Sequence, residues 1–350
     1  MDDRCLTAAQ FRSTRGGIQL RGLFCQPLAT SDPGDDTALI DALKSVVSQG
    51  SFKGRRVAFN LPFHEVSVFP VHFQLGEQED PEEAILREAL KFLPYPLEEA
   101  VIDYPSLVRQ SGICDATVVA VRRQALVRWL DILHRAGLTA EVMEFGFSSL
   151  LRLHRNLFPD DSQSCLVCHI GRTHSLLAAL TGTGLFNLTE IPWGIQSLLE
   201  KLRNQLKLPG DVAEAVNLLK AYGLAHGKGE NMPSPPGARQ SLEDARKMYR
   251  VTFQVVAPAV DELVYEIHKT VGYLRSLHNL TILGKVYLYG LSGLILQLDS
   301  YLEKHTGIPT SNVDVLARLG YVDVTLPACI PEGISPVPAL GLAMREITWF

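Results

Sequence analysis

Apolar positions recur every second residue along the first stretch of the chain. Leu6 to Phe11 and Ile18 to Phe24 are apolar-rich runs, and between them Arg12 to Gly17 holds the pair Gly16-Gly17, so a β-hairpin is predicted. After a loop from Pro27 to Asp36 the period lengthens to that of a helix over Thr37 to Val47, with Leu39, Ile40, Leu43, Val46 and Val47 on one side. Arg56 to Leu61 reads as a buried strand closed by Pro62.

A compact block from Phe63 to Phe145 follows. Val66 to Leu75 is extended in pattern. Asp80-Pro81-Glu82-Glu83 supplies an N-cap acid, a proline at the first helical position and acids in the first turn, so a helix is predicted from there to Pro94-Tyr95-Pro96. Val101 to Tyr104, Thr117 to Val121 and Thr139 to Glu144 read as strands. Gln124 to Ala136 reads as a helix with Leu126, Trp129, Leu130 and Leu133 as its core stripe, ended by Gly137. Two helices and several strands in so few residues describe an α+β subdomain.

The second half returns to the opening theme. Cys165 to Ile170, Ser175 to Leu180 and Leu185 to Ile191 form a meander joined by Gly171 to His174 and by Thr181 to Gly184. Helices are predicted over Ile195 to Leu206, from Asp211, and from Ser241 onward with Pro258 starting or kinking a long segment. Gly223 to Ser241 is rich in Gly and Pro and is predicted as a mobile loop. Val286 to Tyr289 is a strand. Gly290-Leu291-Ser292-Gly293 is a turn, and a helix then runs to His305 before Gly307. A strand-rich stretch and a helix around Pro338 to Glu346 close the pattern.

At 350 residues the chain is long for one core, so two domains are expected. A net charge of −5 with no dense Lys/Arg run argues against a mainly electrostatic nucleic-acid binder, and Arg122-Arg123 reads as a solvated helix start. Met1-Asp2-Asp3-Arg4 is not the start of an export signal, and the most apolar run, Val286 to Leu298, is shorter than the ~20 residues that a membrane span needs. A cytoplasmic location is the expectation. Six scattered cysteines are expected to be reduced and mostly buried.

Cys165-Leu166-Val167-Cys168-His169 matches the spacing of haem attachment, and with His174 it offers zinc-type ligands. On a strand, residues three apart point to opposite faces, so neither reading is favoured and a buried strand is expected instead. No nucleophile elbow, P-loop or dinucleotide fingerprint is present. Pro94-Tyr95-Pro96 is either a recognition surface or a helix stop followed by a turn.

Five stretches, in order, resemble pilus-assembly proteins of the PilM type, which are actin-like and related to the cell-division protein FtsA. Ala89 to Tyr104, ALKFLPYPLEEAVIDY, is similar to the segment in which that family ends a helix at a proline-aromatic-proline step. Val118 to Gly137 resembles the stretch that follows. Thr189 to Gly194, TEIPWG, resembles the family's REIPIGG, and Val286 to Pro309 its adenosine-side turn and helix. Ala339 to Arg345 resembles its terminal helix. The resemblance implies an α/β, two-lobed actin-like ATPase fold with an inserted α+β subdomain. The first lobe is then 1–62 and 146–180, the insertion 63–145, the second lobe 181–325 with the loop 223–241, and 326–350 returns to the first lobe.

The resemblance also implies a place in the inner-membrane platform of a type IV pilus or related secretion machine. The implied partner is the N-terminal tail of a bitopic PilN-like membrane protein, held beside the insertion. Ring self-association and attachment to the membrane only through the partner are also implied. The nucleotide turns match only in degraded form. The first phosphate loop is expected to be absent, since Leu6 to Phe11 aligns with the strand that follows it. Where relatives read VDIG this chain reads Cys168-His169-Ile170-Gly171, which puts an imidazole where Mg²⁺ wants oxygen. Gly171, Thr173, Gly290, Ser292 and Gly293 are therefore the vestigial nucleotide turns. A scaffold without hydrolysis or catalytic residues is the leading reading, with neither cofactor nor metal expected. An ATP/Mg-binding switch of the same fold is the runner-up, and an actin-like sugar kinase or filament protein is a third.

Overall fold

The computed structural model describes residues 5–345 apart from 15–16, 29–33, 51, 77–78, 111, 162, 182–183, 209–211, 226–241, 279–282 and 321–333. The chain forms two compact units. The first holds residues 1–161, 184–188 and 315–350; the second holds 162–183 and 189–314.

The first unit opens with β1 (Cys5–Thr14) and β2 (Gly17–Pro27), an antiparallel hairpin with a bulge at Gln10/Phe11. Its register corrects the expectation of reduced thiols for one pair: the sulfurs of Cys5 and Cys25 are bonded across the hairpin, a pairing that strand register sets and spacing does not reveal. Helix α1 (Asp36–Gln49) is capped by the Asp35 carboxylate, which accepts from the Ala38 amide at 3.0 Å, and it buries Leu39, Ile40, Leu43 and Val46.

Strands β3 (Arg56–Leu61) and β7 (Thr139–Phe145) are parallel neighbours. The chain between them carries β4 (Val66–Gln74), α2 (Pro81–Ala89), β5 (Ala100–Gln110), β6 (Ile113–Arg122) and α3 (Arg123–Arg135). The three strands make an antiparallel sheet in the order β4-β6-β5. Ala84, Ile85 and Ala89 of α2 pack against Val71, Phe73, Cys114, Ala116 and Val118.

Two expectations need correction here. Helix α2 ends at Ala89, short of Pro94, because its last turn tightens through bonds from the Lys91 and Phe92 amides to carbonyls three residues back. The buried stripe of α3 is Ala125, Trp129, Ile132 and Leu133; Leu130 is 46% exposed and Leu126 is half-buried. The spacings 4, 7 and 8 fit one helical face better than the set centred on Leu130.

Helix α4 (Gly146–Leu157) follows β7. Asn60 of β3 donates to Ser149 Oγ of α4 at 3.1 Å, both side chains being buried.

The second unit is built on a five-stranded sheet in the order β10-β9-β8-β11-β12. It contains β8 (Cys165–Ile170), β9 (Ser175–Thr181), the end of β10 (Gly184–Ile191) from Thr189 on, α5 (Ile195–Leu206), α6 (Val212–Ala221), α7 (Leu242–His278), β11 (Lys285–Gly290), α8 (Leu298–Thr306) and β12 (Thr310–Asn312). In β8, Leu166, Val167, Cys168 and Ile170 are wholly buried, the pattern of a central strand covered on both faces. Trp193 donates its indole N–H to the Ala259 carbonyl of α7 at 2.6 Å, beside Pro258, which lies inside the helix.

The predicted loop from Gly223 begins instead as a packed turn: Leu224 and Ala225 are buried, and the Leu224 amide donates to the Leu296 carbonyl at 2.9 Å. The remainder of that loop, the start predicted at Asp211, and residues 321–333 of the strand-rich stretch lie outside the described residues.

The chain then returns to the first unit with α9 (Val315–Arg318) and α10 (Val337–Ala343). Gly341 of α10 lies so close to the Ser149 carbonyl of α4 that no Cβ fits. The Glu144 carboxylate, with its side chain 7% exposed, receives both Arg152 (2.8 and 2.9 Å) and Arg345 (2.6 Å).

Candidate functional site

The parallel pairing of β8 with β11 sets Ile170 opposite Gly290, so the turn that begins at Gly171 and the turn that begins at Gly290 emerge side by side from neighbouring strand ends. Ligands of open α/β sheets bind at that end of the strands. The structure thus brings together the two turns to which the sequence assigns Gly171, Thr173, Gly290, Ser292 and Gly293. Their individual settings differ. Thr173 is exposed, with its hydroxyl 3.0 Å from His174 Nδ1. Ser292 is buried, Gly293 faces open space, and Gly290 has φ +79°, a conformation that favours glycine.

The first turn is closed onto α5. The Ile195 amide donates to the Gly171 carbonyl at 3.1 Å and the Gln196 amide to the Arg172 carbonyl at 2.9 Å. Gly194 comes so close to the backbone of Arg172 and Thr173 that a Cβ has no place. Two of the donors that a helix start offers to an anion are therefore engaged within the chain.

His169 is the penultimate residue of β8, two before the turn that begins at Gly171. The residue is half-buried; its Nε2 is buried with no hydrogen-bond partner among the described residues, and its ring edge faces Gly290: a Cβ built there would stand 2.8 Å from Nε2 and 3.0 Å from Cδ2. Burial lowers its pKa to about 4, which keeps the imidazole neutral at pH 7. Burial likewise pushes the Cys168 thiol up to about 12, an inert protonated side chain. Cys165 and Cys168 are buried and alternate across β8, the geometry that disfavoured the haem and zinc readings.

A second surface was not legible as one in the sequence. In the insertion, Leu86 (39% exposed), Leu90 (49%), Phe92 (55%) and Leu97 (39%) are large apolar side chains facing solvent. Leu86 of α2 and Leu90, the residue that ends it, lie one turn apart, and the Phe92 ring lies 5.6 Å from that of Phe69. The Pro94-Tyr95-Pro96 step follows this surface and does not cap the helix: Tyr95 is half-buried under the Arg122 guanidinium, 4.8 Å from its ring centre, and Arg122 pairs with Glu99 at 3.1 Å. The available signal was that α2 and its C-cap carry apolar residues on the outward side, at 86 and 90, as well as on the buried side at 84, 85 and 89.

Two units, one with adjacent glycine turns on parallel strands and the other with an α+β insertion between parallel strands, define an actin-like architecture. The solved structure of a "PilM-PilN type IV pilus biogenesis complex" matches with a TM-score of 0.71 at 21% identity, over 99% of this chain and 96% of that one. MreB5 of Spiroplasma citri bound to ADP matches with a TM-score of 0.44 at 15% identity, over 88% of this chain and 78% of that one. The ethanolamine utilization protein EutJ from Carboxydothermus hydrogenoformans matches with 0.39 at 15%, over 63% and 60%. The family "Type IV pilus assembly protein PilM" matches residues 25–226, more than half of the sequence. The chain belongs to that family, and its fold is the actin-like one that the sequence resemblance implied.

Proposed function

We propose that this protein is a non-catalytic scaffold of a type IV pilus inner-membrane platform, holding the cytoplasmic tail of a PilN-like membrane protein against its insertion. The exposed apolar residues Leu86, Leu90, Phe92 and Leu97 carry this reading. Apolar side chains clustered at a surface are what a peptide partner buries. Family membership supports it, as does the likeness over nearly the whole chain to the PilM–PilN complex. No helix among the described residues is long and apolar enough to cross a membrane, which agrees with attachment through a partner on the cytoplasmic side.

The turn pair supports the absence of hydrolysis. None of the residues from His169 to His174 or from Gly290 to Gly293 is a carboxylate that would hold Mg²⁺. The adjacency of the turns and the open space at Gly293 favour the second reading, a nucleotide-binding switch.

Calorimetric titration with peptides from the cytoplasmic N-termini of PilN-type proteins tests the proposal. Saturable binding that Phe92→Asp weakens supports it. Absence of binding by every such peptide, or binding indifferent to Phe92→Asp and Leu90→Asp alike, overturns the placement on this surface.

A further inference from the structure

The fold family implies a magnesium nucleotide at the paired turns, and the residues present do not fit one. A phosphate-bearing turn needs free backbone N–H groups and an ionised carboxylate at the metal; the carboxylate beside the first turn, Glu190, lies 3.8 Å from His174 Nε2 and has its pKa raised by burial. Here the α5 amides of Ile195 and Gln196 are already bonded to the carbonyls of Gly171 and Arg172. The side chain that β8 directs at the Gly290 turn is the imidazole of His169.

We infer that His169 is the turn pair's own occupant: its ring fills the space beside Gly290 that a ligand-binding turn keeps open, and it braces β8 against β11 without any bound group. The contact geometry carries this. Gly290 has a positive φ, and a Cβ built there would meet the Ile170 carbonyl oxygen first and then the imidazole, at 2.8 Å from Nε2 and 3.0 Å from Cδ2. The orphaned Nε2 says what kind of contact this is. Among the described residues no protein group hydrogen-bonds this nitrogen, so what the chain itself makes with this edge of the ring is a packing contact. Neutrality removes the cost of a buried charge there and also the charge attraction of an imidazolium for a phosphate. His169 is a positioning residue, and the second unit is set in one arrangement whether or not nucleotide is present.

This inference rests on the reading of the protein as a scaffold that does not hydrolyse ATP, and it can fail while tail binding stands. The test uses the full chain and three proteins: wild type, His169→Leu and His169→Ala. Melting temperature is measured with EDTA, with Mg²⁺ and with Mg-ATP, and affinity for the PilN-type peptide is measured in parallel. The wild type is expected to melt at the same temperature in all three solutions. His169→Leu, apolar and of similar volume, is expected to melt at or above the wild type, because nothing polar is lost. His169→Ala is expected to melt several degrees lower, because it leaves a void.

A magnesium-dependent rise of the wild-type melting temperature with ATP, abolished in His169→Leu, would make His169 a ligand and overturn the inference. Equal destabilisation by Leu and Ala would also overturn it, by showing that Nε2 has a polar role. If His169→Ala fails to fold, the wild type and the Leu variant still decide. Peptide affinity that is unchanged across the series keeps the two questions apart, since Leu90 and Phe92 belong to the first unit and His169 to the second.

Discussion

Gly290 and His169 are complementary in shape: the glycine gives up its Cβ on the side where the imidazole edge lies, 2.8 Å from the place a Cβ would take. Gly290 also has φ +79°, so a side chain there is opposed twice, by its own backbone and by its neighbours. Gly290→Ala is expected to destabilise the protein by about 2–3 kcal/mol in urea unfolding. Adding His169→Ala should return only the part due to the imidazole, because the backbone strain and the Ile170 carbonyl remain. A double-mutant cycle measures that coupling, and purely additive losses would show that the two residues do not touch.

Partner binding and stability should separate on the insertion. Phe92 and Leu90 are about half exposed, so replacing either with Asp is expected to change folding stability by under ~1 kcal/mol while weakening PilN-type peptide binding about tenfold or more. Circular dichroism melts alongside the titrations check both halves. A variant that loses stability and binding together would place these side chains in the core of the insertion.

A buried histidine and a partly buried one make stability depend on mild acid. His154 and His169 each have a pKa lowered by burial to about 4, against an ordinary value of 6.5. The unfolded chain therefore binds more protons than the folded one below pH 6.5. Their contribution is complete above pH 6.5 and is lost as pH falls from there toward 4. For His154, 3% exposed, the loss is on the order of 2–3 kcal/mol across that window. Urea midpoints at pH 7 and pH 5 measure it, and His154→Gln should flatten the difference. A midpoint unchanged between the two pH values would refute neutral burial.

The last helix is held by charge and by close approach. Arg152→Ala removes the bidentate partner of the Glu144 carboxylate and also the bond to the Gly341 carbonyl at 3.0 Å. It is expected to cost about 2–3 kcal/mol, since the partly buried acid would keep only Arg345. Arg345→Ala should cost less, because that side chain is 37% exposed. Gly341→Val, which drives a side chain into the Ser149 carbonyl, is expected to undock the helix and open the C-terminal segment to proteases. A protease-resistant Gly341→Val variant would contradict the packing.

How far the sequence reached can be seen from single elements. The hairpin, α1, β3, α5 and the meander from Cys165 to Ile191 were legible because each announces itself through its own periodicity and the Gly, Pro or Asp at its ends. The glycine turns were legible as candidates for the same reason. The end of α2 was misjudged because Pro94 acts several residues upstream, through the tightening of a turn. The buried face of α3 was misjudged because Leu126 and Leu130 match a stripe that the neighbouring elements do not cover. Cys5 and Cys25 are 20 residues apart, and only the hairpin register brings them together.

Local chemistry by itself therefore determined where strands and helices form, that an imidazole replaces an acid before Gly171, and which glycines could turn the chain. Tertiary structure alone decided that β8 and β11 run side by side, that the Nε2 edge of the half-buried His169 meets Gly290 with no hydrogen-bond partner among the described residues, and that Leu86, Leu90 and Phe92 are exposed. The reason is range: propensity and periodicity act over a few residues, whereas strand register and burial depend on contacts between distant segments, as Cys165 pairs with Lys285.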